Sequence, residues 1–262
     1  MHVVASGLSF HTQQLGPGAP APGANERAER APVVMAHGLL LGSLATWYFT
    51  AAPALAKERR VLLFDLRGHG RTERARTGYD VATMARDIDA LAAPFSEGPI
   101  DLVGHSFGAL VALRFAIDHP ERVRRVVLVE APLPPSRFQE LEEFAGRTPA
   151  QMIDALPEGL RAFVAQGGRK SSRLLDTIHF LVAETSLLAD LRAEPDIPDA
   201  DLARLDRPVL CLYGDRSSCR PVGDRLAAVL PRGRLVVLPG GHYLHLDATA
   251  DLTRHILEHL DG

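Results

Sequence analysis

The chain is poor in sulfur: two cysteines, Cys211 and Cys219, in 262 residues. That excludes a disulfide framework. Cys211 lies inside an apolar run and reads as a small core hydrophobe. Cys219 falls in a loop and reads as a free thiol, which fits a reducing compartment. Lysine is almost missing, with Lys57 and Lys170 the only two among 29 basic residues. The net charge of −3 leaves no clustered basic excess, so a nucleic-acid footprint is excluded; the arginine bias reads as surface ion pairing. No run approaches the ~18 apolar residues of a membrane span, and no basic segment followed by an apolar stretch opens the chain. The expectation is a cytoplasmic protein with no membrane or nucleic-acid partner, a homodimer being compatible. No His/Cys/Asp group has the spacing of metal ligands, and there is no glycine-rich phosphate loop, so neither metal nor cofactor is expected.

What remains is ample for a core. Hydrophobic residues make up 46% of the chain, and the length suits one large domain or a core with an insertion. Val3–Ala5 and Leu8–Gln14 predict a hairpin around Ser6-Gly7, and Gly16–Arg30 a flexible connection. Strands follow at Pro32–Ala36, Arg60–Phe64, Ile100–His105 and Val123–Val129, separated by helical segments over Leu44–Lys57, Val81–Pro94 and Ala109–Ile117. From Leu133 to Arg207 no strand is convincing; amphipathic pieces (Arg137–Ala145, Pro149–Ala155, Leu160–Gln166, Ser172–Leu191) predict an inserted helical cap. The alternation resumes with strand Arg207–Tyr213, helix Val222–Leu230, strand Arg234–Leu238 and helix Ala250–Leu260. Strands alternating with helices predict an α/β fold whose mostly parallel sheet is covered on both faces, with its site at the carboxyl ends of the strands. Residues 1–132 and 206–262 would form the core and 133–205 the cap.

One stretch concentrates the chemistry. Gly104-x-Ser106-x-Gly108 sits between a strand and a helix, where a serine on a sharp turn needs small neighbours and faces the free amides of a helix N-terminus. Its hydroxyl becomes a competent nucleophile once a base takes the proton.

His37-Gly38-Leu39, Asp65-Leu66-Arg67-Gly68-His69-Gly70, Gly104-His105-Ser106-Phe107-Gly108 and Gly241-His242, in this order, resemble the α/β-hydrolase superfamily over essentially the whole chain. The layout is similar to its lidded esterases, thioesterases, carbon–carbon bond hydrolases and cofactor-free haloperoxidase-like enzymes. The resemblance implies an eight-stranded sheet with a cap after the sixth strand. It also implies Ser106 as nucleophile, His242 as base, and an oxyanion hole from the backbone amides of Leu39 and Phe107.

The third member departs from the family pattern. The usual acid position after the seventh strand holds Ser217, in Gly214-Asp215-Arg216-Ser217. Glu130, at the end of the sixth strand, is preferred as the acid, with Asp215 as the alternative. His245 is the competing base, and His37 and His69 are expected to order loops rather than take part in chemistry. His105 is expected to pack into the sheet, His179 to serve solvent or packing, and Trp47, Tyr48 and Phe49 to belong to the core, with one of them able to line the pocket. The leading expectation is a serine hydrolase acting on an ester, thioester or related activated carbonyl of a medium-sized hydrophobic small molecule. Carbon–carbon bond hydrolysis, acyl transfer or cyclisation, and a non-catalytic ligand-binding homologue are the alternatives.

Overall fold

The computed structural model describes residues 1–17, 30–133 and 168–262, with 147, 149–154, 161 and 164–165 between them. Short β-branched and aliphatic runs form the strands: β1 His2–Ala5, β2 Leu8–Leu15, β3 Val33–Ala36, β4 Val61–Phe64, β5 Ile100–His105, β6 Val123–Val129, β7 Val209–Gly214 and β8 Gly233–Leu238. They make one eight-stranded sheet in the order β1-β2-β4-β3-β5-β6-β7-β8. The first two pairings are antiparallel and the rest parallel. Strands β3 to β7 are buried throughout apart from two arginine positions of β6, the pattern of parallel strands covered on both faces. The expected α/β architecture is therefore present. The hairpin turns at Ser6 and Gly7, both with positive φ (48° and 75°), as a two-residue turn requires.

Helices cover each face. On one side α3 (Val81–Ala92) and α4 (Phe107–Asp118) pack through Met84, Ile88, Leu110 and Phe115 onto Leu62, Leu102 and their neighbours. Asp80 caps α3 by accepting from Thr83 N at 2.8 Å, satisfying one of the orphan amides at a helix start. On the other side α1 (Ala45–Tyr48) and α2 (Ala52–Leu55) share an apolar cluster with the C-terminal helix Thr249–Asp261. The single helix expected over Leu44–Lys57 is split in two, with Pro53 in the first turn of the second, where a missing N–H is harmless. Trp47 is buried and donates Nε1–H to Ala36 O at 2.9 Å. Phe49, by contrast, is 78% exposed and Tyr48 is at the surface, which corrects the expectation that all three are core.

Between β6 and β7 the described residues are helical where they are regular: α5 Pro149–Asp154, α6 Arg169–Ala183, α7 Leu187–Ala193 and α8 Asp199–Leu202. The piece Arg137–Ala145 lies outside the described residues, as does most of the Gly16–Arg30 connection. Ile178, Phe180, Leu181, Leu187 and Leu191 are buried in the same apolar cluster as Leu40 and Phe107. The segment Ala75–Val81 is tied to these helices. Tyr79 N donates to Asp190 Oδ2 at 2.8 Å, Val81 N to Glu194 Oε2 at 2.9 Å, and Ser186 N to Arg76 O at 2.8 Å. Arginine pairs reach beyond the surface. Arg67 makes a buried bidentate contact to Asp87 (2.8 Å to each oxygen), and Asp101, fully buried in β5, faces Arg59 and Arg124. Among the described residues no helix is long and apolar enough to cross a membrane.

Candidate active site

Parallel register brings the carboxyl ends of β3, β5, β6, β7 and β8 together. His105 pairs with Val129, Val129 with Leu212, and Gly214 with Leu238. The residues just beyond these ends are therefore neighbours in space. Ser106 follows β5 directly at φ 52°, ψ −125°, a strained conformation for a side chain-bearing residue. The turn survives because of its glycines. A Cβ on Gly104 would stand 2.4 Å from Ala109 Cα, and one on Gly108 would stand 2.3 Å from His37 O. Backbone hydrogen bonds hold the turn from both sides, Ser106 N to Val129 O at 2.8 Å and Ala109 N to Ser106 O at 2.9 Å. The hydroxyl is thus presented at the start of α4, where the backbone amides of the first helical turn point outward.

The loop after β3 lies against this turn. A Cβ on Gly38 would come within 3.1 Å of Ser106 Cβ, which puts Leu39 beside the nucleophile candidate, as Phe107 is by sequence. Two histidines brace that loop in reciprocal fashion. His37 Nε2 accepts from Leu66 N at 2.9 Å and Nδ1–H donates to Gly38 O at 2.8 Å. His69 Nε2 accepts from Leu40 N at 2.9 Å and Nδ1–H donates to Arg67 O at 2.8 Å. Each ring uses one nitrogen as donor and the other as acceptor, so both are neutral. Burial lowers the pKa of His37 and drives that of His69 down to about 3.

On the far side of Ser106, His242 leaves β8 through Pro239-Gly240-Gly241. Its Nε2 is 2.9 Å from Ser106 Oγ and its Nδ1 is 3.3 Å from Glu130 Oε2. With a carboxylate at one nitrogen and a hydroxyl at the other, the proton belongs on Nδ1 and the lone pair of Nε2 faces the serine. Burial disfavours the imidazolium, but the contacts of the ring with Cys219 and Glu130 outweigh it and lift His242 to about 9.

Glu130 is fully buried and takes a positive φ of 56° one residue past β6. Oε1 accepts from Gly214 N at 2.5 Å, while Oε2 accepts from Ser217 Oγ and faces His242. The buried carboxylate therefore has a partner at each oxygen, as a buried charge demands. Asp215, the alternative acid, points elsewhere. Its Oδ1 accepts from Gly240 N at 2.9 Å and meets Arg216 on the exposed side. Asp215 braces the turn that carries His242 without touching the ring. Ser217, at the position where the family pattern has its acid, is instead a hydrogen-bond donor to Glu130.

The remaining histidines separate cleanly. His105 Nε2–H donates to the backbone carbonyl of His242 at 2.9 Å, so it does more than pack: it fixes the loop that carries His242. His245 is buried edge-on against His105, with ring centroids 4.8 Å apart. Its Nδ1 has no hydrogen-bond partner among the described residues, and burial lowers it to about 4. Nothing brings it to Ser106. His179 is exposed on α6. The contact that spacing along the chain could not reveal is Cys219, whose Sγ stands 3.9 Å from His242 Nδ1. Glu130, Cys219 and His242 place one ligand-capable atom each within 4.8 Å of one another.

Comparison with known proteins shows the family and the fold. A family model described as alpha/beta hydrolase fold matches residues 31–185. RutD of Variovorax paradoxus, named for a carbamate-hydrolase activity, is 32% identical over 253 residues, spanning 89% of this chain and 92% of that protein. A non-heme chloroperoxidase of Streptomyces lividans is 31% identical over 215 residues, spanning 74% and 76% of the two chains. Among solved structures, a hydrolase from Pseudomonas aeruginosa superposes with a TM-score of 0.78 at 22% identity, covering 100% of this chain and 98% of that one; at that identity the likeness speaks for the fold alone.

Proposed function

Since the chain belongs to the α/β-hydrolase family, we propose that it is a serine hydrolase that cleaves an ester, thioester or similarly activated carbonyl through an acyl-enzyme on Ser106. One observation carries the reading: the unbroken relay from Ser106 Oγ to His242 at 2.9 Å and on to the fully buried Glu130 at 3.3 Å. A hydroxyl is a poor nucleophile, and an imidazole within hydrogen-bond reach, in its neutral form, removes its proton as the new bond forms.

In the first half-reaction Ser106 Oγ attacks the carbonyl carbon while His242 Nε2 takes the hydroxyl proton. The negative oxygen is held by the backbone N–H groups of Phe107 and Leu39. Loss of one such donor typically costs about 100- to 1000-fold. Glu130 stabilises the imidazolium and keeps the proton on Nδ1. His242 then hands the Nε2 proton to the leaving group, the carbonyl reforms and the acyl-enzyme remains. Water, deprotonated by His242, releases the acid and restores Ser106. No metal or cofactor is called for in these steps.

The helices between β6 and β7 serve as a cap that shapes the acyl site. Their buried face, Ile178, Phe180, Leu181, Leu187 and Leu191, is continuous with Leu40 and Phe107 beside the nucleophile. Apolar walls of this kind suit a medium-sized hydrophobic acyl or alkyl group. The test is a fluorophosphonate probe followed by a panel of chromogenic esters and thioesters. Wild-type protein should be labelled stoichiometrically and hydrolyse members of the panel, and Ser106→Ala should do neither. A wild-type protein that stays unlabelled, identical to Ser106→Ala, overturns the reading.

A further inference from the structure

The relay has an unusual neighbour. A hydrogen-bonding partner for the outer nitrogen of a catalytic imidazole is an oxygen in the scheme above, yet here a thiol also approaches it. Sγ of Cys219 lies 3.9 Å from His242 Nδ1, and Oε2 of Glu130 lies 3.3 Å from the same atom. All three ligand-capable atoms fall within 4.8 Å of one another. Ligand atoms on a tetrahedral zinc ion, at ordinary Zn–N, Zn–O and Zn–S bond lengths, stand about 3.3–3.6 Å apart. The nitrogen–oxygen separation already matches and the nitrogen–sulfur one exceeds it by a few tenths of an ångström, while the sulfur–oxygen one is held only within 4.8 Å, so binding draws the thiol inward. One imidazole, one thiolate and one carboxylate form a mixed donor set suited to zinc.

The surroundings support an ion as well as spacing does. Glu130 is fully buried, while His242 and Cys219 are only partly so, which leaves a path from solvent to the thiol side. The backbone around Cys219 is held in place, its N–H donating to Ser217 Oγ at 3.1 Å, so the sulfur is carried on an ordered turn. Ser217 Oγ in turn donates to Glu130 Oε2.

We propose that Glu130, Cys219 and His242 form an inhibitory zinc site that switches the enzyme off by occupying the back of its own base. The proton balance is explicit. Zinc binds the thiolate of Cys219, whose proton leaves to solvent. It also takes the lone pair of His242 Nδ1, so the proton that sat there moves to Nε2. Nε2–H then faces Ser106 Oγ as a donor, and no lone pair remains to accept the serine proton. Substrate can still enter, because the ion lies behind the ring rather than in front of it. No oxidant or reductant is involved, and a chelator reverses the state.

The existence of the site is independent of the proposed hydrolase activity; the inhibition rests on it, and the experiment keeps the two apart. Isothermal titration of zinc chloride into metal-free Ser106→Ala protein is expected to give one site with a micromolar or tighter Kd. Adding Cys219→Ser or Cys219→Ala should weaken it at least tenfold. Cobalt(II) in place of zinc should give thiolate-to-cobalt charge-transfer absorption in the near ultraviolet, absent from both cysteine variants. In wild-type protein, zinc should lower kcat at unchanged KM, with recovery on adding EDTA. Each cysteine variant, normalised to its own metal-free rate, should need at least tenfold more zinc. Binding that is absent, or unchanged by both cysteine substitutions, overturns the site. Cysteine-dependent binding that leaves kcat untouched overturns the switch. Cysteine-dependent binding in a protein that cleaves no carbonyl substrate upholds the site and refutes the hydrolase reading instead.

Discussion

Replacing Glu130 by Gln separates the two tasks given to the buried carboxylate. The amide keeps an oxygen for Gly214 N, so the fold around it changes little, but the negative charge beside His242 is gone. Raising an imidazole from 6.5 to about 9 corresponds to roughly 3 kcal/mol of added stabilisation of its charged form, at about 1.4 kcal/mol per pH unit. Cys219 contributes to that rise, so the charge of Glu130 accounts for part of it. An amide can also turn its NH₂ towards Nδ1, which moves the ring proton to Nε2 and removes the base. Together these effects predict a fall of about 10³- to 10⁴-fold in kcat, the scale seen when a triad acid becomes an amide. The pH profile supplies a second readout. A protonated His242 cannot accept from Ser106, so activity is lost as pH falls below its pKa. The raised value puts that limb on the alkaline side of a free imidazole's, and Glu130→Gln should move it towards acid. The assay is hydrolysis of a p-nitrophenyl ester across pH 6–10 with Asp215→Asn in parallel. Asp215→Asn should keep kcat within a few fold, because its carboxylate bonds Gly240 N and not the ring. The assignment is refuted if Glu130→Gln leaves kcat within tenfold and the limb unmoved, or if Asp215→Asn causes the larger loss.

Three further outcomes can be checked. His105→Phe keeps a ring of similar size but drops the 2.9 Å bond to the carbonyl of His242; kcat should fall by about 10- to 100-fold with KM nearly constant, as small misplacements of a catalytic group do, and an unchanged kcat would contradict the bracing role. Asp87→Asn strips the countercharge from buried Arg67 and should cost about 3–5 kcal/mol in urea denaturation, whereas an unshifted midpoint would show the pair to be dispensable. Stability should also decline on acidification. His69 and His245 are held neutral in the fold at about 3 and 4, while the unfolded chain takes up protons near 6.5; stability present above pH 6.5 is therefore lost progressively towards pH 4. Asp101, raised to about 6 by burial, and Asp87 and Glu194, raised by burial too, work the other way, but the histidines lowered by burial outnumber them; a urea midpoint that rises between pH 7 and 4.5 would refute the argument.

Much of the frame is readable along the chain because its signals are local. Apolar runs closed by Gly and Pro mark the strands, and glycines flanking Ser106 mark a turn that tolerates no Cβ at either position. The brackets on the rim are readable for the same reason, since strand ends in a parallel sheet converge. Contacts set by side-chain direction are not. Asp215 and Glu130 are both acidic residues at strand ends, and only the turn after β7 reveals that one faces Gly240 and the other His242. The thiol of Cys219 is 23 residues from His242 in sequence, with no spacing rule connecting a loop after β7 to one after β8. His105 reads as packing along the chain because a buried histidine beside Ser106 has no sequence signature for the carbonyl it donates to. Phe49 misleads in the opposite direction: an aromatic triplet reads as core, yet a helix of four residues turns one member inward and leaves another outside.

The reciprocal histidines have a mechanical consequence. His37 reaches from the loop after β3 to Leu66, and His69 reaches back from the loop after β4 to Leu40. Two crossed struts make the loops one stiff body, so neither can shift without dragging the other. The amide of Leu39, next to one anchor point, inherits that stiffness. On the proposed function, adaptation to substrates of different bulk would come from the opposite wall, and an engineer wishing to widen or shift the substrate range should leave residues 37–40 and 65–70 alone and vary the helices between β6 and β7.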